Sequence, residues 1–154
     1  EAAMKKDRLI VRQATIDDLD ALADLLCELF TIEKDFSINR ETQKAGLCML
    51  IDNDNACVLA AEREEKVIGM VTGQLVISTA EGGRSVLLED LCVTRSARKK
   101  GIGTKLMAAL AAWGIRKGAR RIQLLVDKTN EPALAFYLSH GFAKSSMLGV
   151  YRKL

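Results

Sequence analysis

The first chemical signal is a run of cations set against two glycines. Arg95, Arg98, Lys99 and Lys100 stand in a segment without apolar periodicity, and Gly101 and Gly103 follow directly. From Thr104 onward Met107, Leu110, Ala111 and Ile115 recur at helical spacing, so the cations crowd the N-terminus of a helix. That end already carries partial positive charge and N–H groups without intrahelical partners, and cations beside it are unfavourable. A bound anion removes the conflict. Glycines, having no Cβ, let backbone N–H groups close on phosphate oxygens. A solvated basic turn is the plainer alternative, but broken local rules tend to mark function, which favours the anion site. Leu106 stands where the dinucleotide fingerprint needs its third glycine, and no Gly-Lys-Ser/Thr follows, which excludes a Walker P-loop.

Other chemistries have less support. His140 is the sole histidine, and Cys27, Cys48, Cys57 and Cys92 form no Cys-x-x-Cys pair, so no metal site is expected. Each cysteine has apolar neighbours, the pattern of buried free thiols in a reducing cytoplasm. A formal net charge of +3 and 5% aromatic residues give neither the field nor the stacking surface of a nucleic-acid binder. No apolar segment reaches membrane-spanning length, and no signal-peptide pattern opens the chain. Glu1 to Ala3 read as a cloning remnant before a start at Met4. With 154 residues, the chain suits a single domain over 1–154.

These residues need a scaffold, and apolar periodicity supplies one. A short strand over Arg8–Gln13 leads to Thr15-Ile-Asp-Asp18, which resembles a capping box. Leu19, Leu22, Ala23, Leu26 and Phe30 then form one face of a helix over about Ile16–Phe30. Asn39 can cap a second helix over Arg40–Ile51. Strands are expected at Ala56–Glu62, at Lys66–Thr79 and, after a turn at Ala80–Arg84, at Val86–Val93. Gly69 and Gly73 inside the second of these suggest a bulge or close backbone approach. The helix opened by the glycines runs to Gly118. Strand Arg121–Val126, a loop at Asp127–Asn130, a short helix from Pro132 to Ser139 and final strands at Phe142–Ala143 and Met147–Lys153 complete the chain. This order predicts an α/β fold: one mixed central sheet flanked by helices, with an antiparallel N-terminal meander and a parallel βαβ crossover.

Two segments together resemble the GNAT superfamily of N-acetyltransferases. Its first signature, Gln/Arg-x-x-Gly-x-Gly/Ala between a strand and a helix, is matched by Arg98, Gly101 and Gly103. Its second, Asn-x-x-Ala-x-x-Phe-Tyr-x-x-x-Gly-Phe, is matched by Asn130, Ala133, Phe136, Tyr137, Gly141 and Phe142. The resemblance covers essentially the whole chain, the N-terminal third by layout only. It implies acetyl-CoA as cosubstrate. The pyrophosphate would rest on Lys99, Lys100, Gly101, Ile102, Gly103 and Thr104, with Arg98 in the motif's first position. Leu91, Cys92 and Val93 would line the pantetheine arm, provided the fourth and fifth strands splay apart. Asn130 and Ala133 would meet the cofactor from the other side. Backbone N–H groups at Leu91 or Cys92 are candidate oxyanion donors.

The resemblance also implies roles in proton transfer. Tyr137 holds the position of the superfamily's general acid, and a phenol stays protonated at neutral pH; the plain alternative is packing beside Phe136. Glu89, beside the proposed thioester, is the candidate base or else a structural or orienting carboxylate. Asp90 faces the opposite way if the strand is regular. Cys92 is expected to pack, because direct transfer needs no acyl-enzyme, and His140 to be a capping or surface residue.

The expected activity is acetyl transfer from acetyl-CoA to a primary amine by direct attack. The acceptor would enter between Phe30–Thr42 and the Gly73–Arg84 hairpin, where Glu33, Asp35 and Glu81 favour a cationic amine such as a polyamine; a protein amino group is the alternative. No nucleic-acid or membrane partner is expected, and such domains often dimerise. The main rival is a CoA-binding regulatory module without turnover. A weaker one is a nucleic-acid-binding domain using Arg95–Lys100.

Overall fold

A computed structural model describes residues 8–33 and 36–154. It divides into two compact units after Gln123. The first holds a five-stranded sheet in the order β1-β2-β3-β4-β5: β1 Ile10–Gln13, β2 Ala56–Arg63, β3 Lys66–Ser78, β4 Gly83–Val93 and β5 Ala119–Gln123. β1 to β4 pair antiparallel, and β5 lies parallel to β4. The mixed sheet and its crossover are as expected.

Helix α1 (Leu19–Ile32) follows a 3₁₀ turn at Ile16–Asp18, and α2 spans Arg40–Ile51. Asp18 accepts the Thr15 N–H at 2.8 Å, which realises the expected capping box. Asp18 also receives both Arg12 guanidinium nitrogens, at 2.8 and 2.9 Å, while Arg12 Nε donates to Glu62 at 2.7 Å. Asn39 caps α2 by accepting the Thr42 N–H at 3.1 Å. Leu22, Leu25, Leu26 and Leu47 of these helices pack on Val58, Met70 and Cys92 of the sheet.

The other sheet face takes α3 (Ile102–Arg116), whose Ile102, Leu106 and Leu110 are fully buried. Here the glycines of β3 find their reason. A Cβ on Gly73 would stand 2.5 Å from Leu110 Cδ1 and 3.2 Å from Val86 Cγ1, so α3 packs directly on strand backbone.

The second unit, from Leu124 to Leu154, contains α4 (Glu131–Ser139). Two expectations fail here. The expected strand Arg121–Val126 is instead Ala119–Gln123, because the Leu124–Val126 run is apolar without extending the ladder with β4, whose last register pair is Leu87–Gln123. Phe142–Ala143 and Met147–Lys153 form no strands; among the described residues none pairs with them, and a strand without a neighbour has no ladder to hold it.

Candidate active site

The parallel ladder ends at Leu87–Gln123, while β4 continues to Val93. Among the described residues no strand pairs with Leu88–Val93 on that side, so Leu91, Cys92 and Val93 lie on the stretch of β4 beyond its β5 partner. The resemblance sets the pantetheine arm along this stretch, whose edge toward β5 pairs with no strand among the described residues. On its other edge the same stretch stays paired with β3, through Val71–Leu91, Met70–Cys92 and Gly69–Val93.

Beyond Val93 a 3₁₀ turn at Arg95–Ala97 leads into the glycine loop. Lys99 has φ +60° and Gly101 φ +76°. Around Gly101 nothing lies within 4 Å of a would-be Cβ, so glycine is there for its backbone angle, not for space. Gly101 is the N-cap of α3 and supplies no side-chain cap, which leaves a helix N-terminus suited to an anion. Ile102 turns its side chain into the core while Lys99, Lys100, Gly101 and Thr104 are exposed; Gly103 is half-buried. Lys100 Nζ crosses the loop to the Ser96 carbonyl at 3.3 Å. Arg98 turns inward: its Nε donates to the Val93 carbonyl at 2.8 Å and its Nη2 lies 3.8 Å from Glu28 Oε2. The side chain thus braces the loop from below.

Upstream on β4 lies the feature that regular alternation misses. Val71 pairs with Leu91 and Gly73 with Leu88, so Glu89 and Asp90 together oppose Thr72. This β-bulge brings both carboxylates to one sheet face. The Thr72 hydroxyl donates to Asp90 Oδ2 at 3.1 Å and accepts the Asp90 N–H at 3.0 Å. Gln74 Nε2 donates to Glu89 Oε2 at 3.4 Å. Asp90 therefore does not face the opposite way, since the strand is not regular. Burial, then the charge of Glu89, pushes the Asp90 carboxyl up to about 7; the Thr72 hydrogen bond opposes this, and Glu33 at the end of α1 adds to it. A carboxyl held there is half-ionised near neutrality and suited to accept a proton. A signal for the bulge exists in the sequence. Val86 and Leu88 are two apart and so are Leu91 and Val93, but Leu88 and Leu91 are three apart, so the alternation slips by one.

Cys92 packs as expected: its thiol contacts the Leu25 carbonyl at 3.2 Å, and burial pushes it up to about 11. Glu81, expected beside the acceptor, pairs with Arg121 at 3.1 Å in the β3–β4 turn, and an 11-residue strand of ~35 Å separates that turn from the glycine loop. Asp35 lies outside the described residues. Among those residues no group of His, Cys, Asp and Glu could hold a metal ion, and no helix is long and apolar enough to cross a membrane.

Within the second unit, Asn130 caps α4 by accepting the Ala133 N–H at 3.2 Å. Tyr137 is half-buried, and its ring meets Phe136 and Phe142 edge-on, each at 5.5 Å. His140 ends the helix with Nδ1 2.7 Å from the Phe136 carbonyl, the capping role of the two expected for it.

Comparison with known proteins agrees with this architecture. Residues 19–142 match the model of the acetyltransferase (GNAT) family, and the chain belongs to that family. It is similar to the N-acetyltransferase YhfO of Bacillus subtilis, at 26% identity over 88% of this chain and 91% of that protein. It is also similar to an aminoalkylphosphonate N-acetyltransferase of Salmonella typhimurium, at 27% identity over 88% and 85%. A solved aminoglycoside acetyltransferase from an uncultured soil metagenome, in complex with sisomicin, superimposes with a TM-score of 0.76 at 26% identity, over 95% of this chain and 96% of that one. The protein is an acetyl-CoA-dependent N-acetyltransferase.

Proposed function

We propose that the protein acetylates a primary amine on a cationic small molecule by direct attack, with Asp90 as the general base. The observation that carries this reading is the bulge that turns Glu89 and Asp90 to one face opposite Thr72. Asp90, raised to about 7, takes a proton from the acceptor ammonium, directly or through water. Glu89, exposed beside it, attracts and orients the cation. The freed amine attacks the thioester carbon, the carbon–sulfur bond breaks, the new amide nitrogen gives its surplus proton to solvent, and the CoA thiolate takes a proton. Tyr137 is the donor of that proton by its place in the Asn130–Phe142 motif. Leu91 or Cys92 supplies an N–H to the oxyanion. The pyrophosphate rests on Lys99–Thr104. The whole chain works as one catalytic domain.

The carboxylates favour a cationic acceptor, the class to which an aminoglycoside belongs. A homodimer belongs to this reading, supported by exposed apolar side chains at Met147, Leu148, Val150 and Tyr151; sedimentation velocity tests it. The four cysteines are free thiols, which suits the cytoplasm.

The test is a panel of amines with acetyl-CoA, following thiol release. Di- and polyamines and aminoglycosides should react, and acidic amino compounds should not. With the best amine, Asp90→Asn should lower kcat/KM about 10²–10³-fold and Tyr137→Phe about 10²-fold, with acetyl-CoA affinity changed little. Unchanged rates in Asp90→Asn would return the base role to Glu89 or to solvent. Preference for acidic acceptors would overturn the substrate class.

A further inference from the structure

Glu28 ties α1 to a segment 66 residues further along the chain. It lies near the end of α1 and is half-buried. Its Oε1 accepts the Thr94 hydroxyl at 2.7 Å, and its Oε2 accepts the Arg95 backbone N–H at 3.1 Å. Oε2 also stands 3.8 Å from Arg98 Nη2. Arg98 is itself fixed to the Val93 carbonyl, and the Thr94 N–H to the Ile68 carbonyl at 2.9 Å. One carboxylate therefore holds three residues of the segment that joins β4 to the glycine loop.

We infer that Glu28 is a positioning residue for the anion-binding loop, setting the Lys99–Thr104 backbone before CoA arrives. Charge-assisted hydrogen bonds are the stronger kind, and two of these end on a single carboxylate. The loop is also held by the buried Ile102 and by Lys100 Nζ on the Ser96 carbonyl, but its entry from β4 is set at Glu28. Lys99 has a left-handed backbone angle without being glycine, a conformation that persists only where its surroundings enforce it. A preorganised loop loses less entropy on binding, and a misplacement of about 1 Å is costly in a site that works by aimed N–H groups. Glu28 also offsets Arg98, so one of the four cations near the helix N-terminus has its counterion within the protein. The inference rests on Lys99–Thr104 being the pyrophosphate loop.

The experiment measures calorimetric Kd values for CoA and for pantetheine, which lacks the pyrophosphate, in folded Glu28→Gln, Thr94→Val, the double variant and Gly103→Val. Glu28→Gln should weaken CoA about tenfold and leave pantetheine within about twofold. Thr94→Val should weaken CoA about threefold, and the double variant should be no worse than Glu28→Gln, since the two share one contact. Amide exchange at Arg95 and Ala97 should quicken in Glu28→Gln. Unchanged CoA affinity in Glu28→Gln, or equal losses for CoA and pantetheine, overturns the inference. Should Glu28→Gln not fold, Thr94→Val is judged by the same ratio. Loss of CoA binding in Gly103→Val beside full binding in Glu28→Gln removes the inference alone. Full binding in Gly103→Val removes the loop assignment and the inference with it.

Discussion

Glu89 and Asp90 are adjacent in sequence and, through the bulge, adjacent on one face, where burial and then the charge of Glu89 raise the Asp90 carboxyl. The Asp90 carboxyl stands at about 7, against about 3.9 for an ordinary aspartate, so between those values the folded protein binds more protons than the unfolded chain. Stability therefore falls as pH rises from about 4 to about 7, while the fraction of Asp90 able to accept a proton grows. We expect kcat/KM to rise with pH through an inflection near 7, a limb absent in Asp90→Asn. The same variant should be more stable than the parent at pH 8.5, by about 1–3 kcal/mol in urea denaturation; solvent access to the group keeps the gain below the full shift. A pH–rate profile with no inflection between 6 and 8 (roughly the window set by such a carboxyl) would remove Asp90 as the base.

At the scale of elements, two contacts fix where the site can form: α3 on β3, and α1 on the end of β4. The first depends on missing side chains. Leu110 is fully buried and cannot swing from a Cβ placed 2.5 Å from its Cδ1. Gly73→Ala should therefore destabilise the protein by about 1–3 kcal/mol through overpacking. Gly69→Ala, whose contacts would be 3.2–3.3 Å, should cost less. Urea denaturation of both compares them directly, and equal effects would mean that α3 shifts as a body instead of resisting locally. Helices α1, α2 and α3 were legible in the sequence because their apolar spacing and caps are local. The glycine loop was legible because it broke a local rule. The bulge was legible only as a slip in the spacing of Leu88 and Leu91, since it is set by the register of β3 against β4. The bracing by Glu28 leaves no local trace at all, for its partner Thr94 lies 66 residues away. The segments 142–143 and 147–153 carry β-prone residues without forming strands, because composition marks a preference and a neighbour is what makes a strand.

Across the sheet-bearing unit, charge is sorted along β4. Arg95, Lys99, Lys100 and Lys105 stand exposed around its C-terminal end, and Glu89 and Asp90 gather at the bulge with Glu33 acting on Asp90. A net charge of +3 hides this division between a basic end and an acidic middle, and in the proposed reading this division matches a donor bearing phosphates to an acceptor bearing ammonium. The sorting makes a prediction about the protein as a whole. CoA binds the native state alone, so at about 100 times its Kd it should add about 2.7 kcal/mol of stability, or about 5–10 °C in Tm for a chain of this length. Pantetheine at the same concentration should raise Tm by less than about 2 °C, because in the proposed reading it meets β4 but not the loop. Raising salt should shrink the CoA shift and leave the pantetheine shift unchanged, since only the former depends on exposed charges. Thermal melts with each ligand at low and high salt decide the matter. Equal stabilisation by the two ligands, or a CoA shift indifferent to salt, would mean that the pyrophosphate does not rest on Lys99–Thr104.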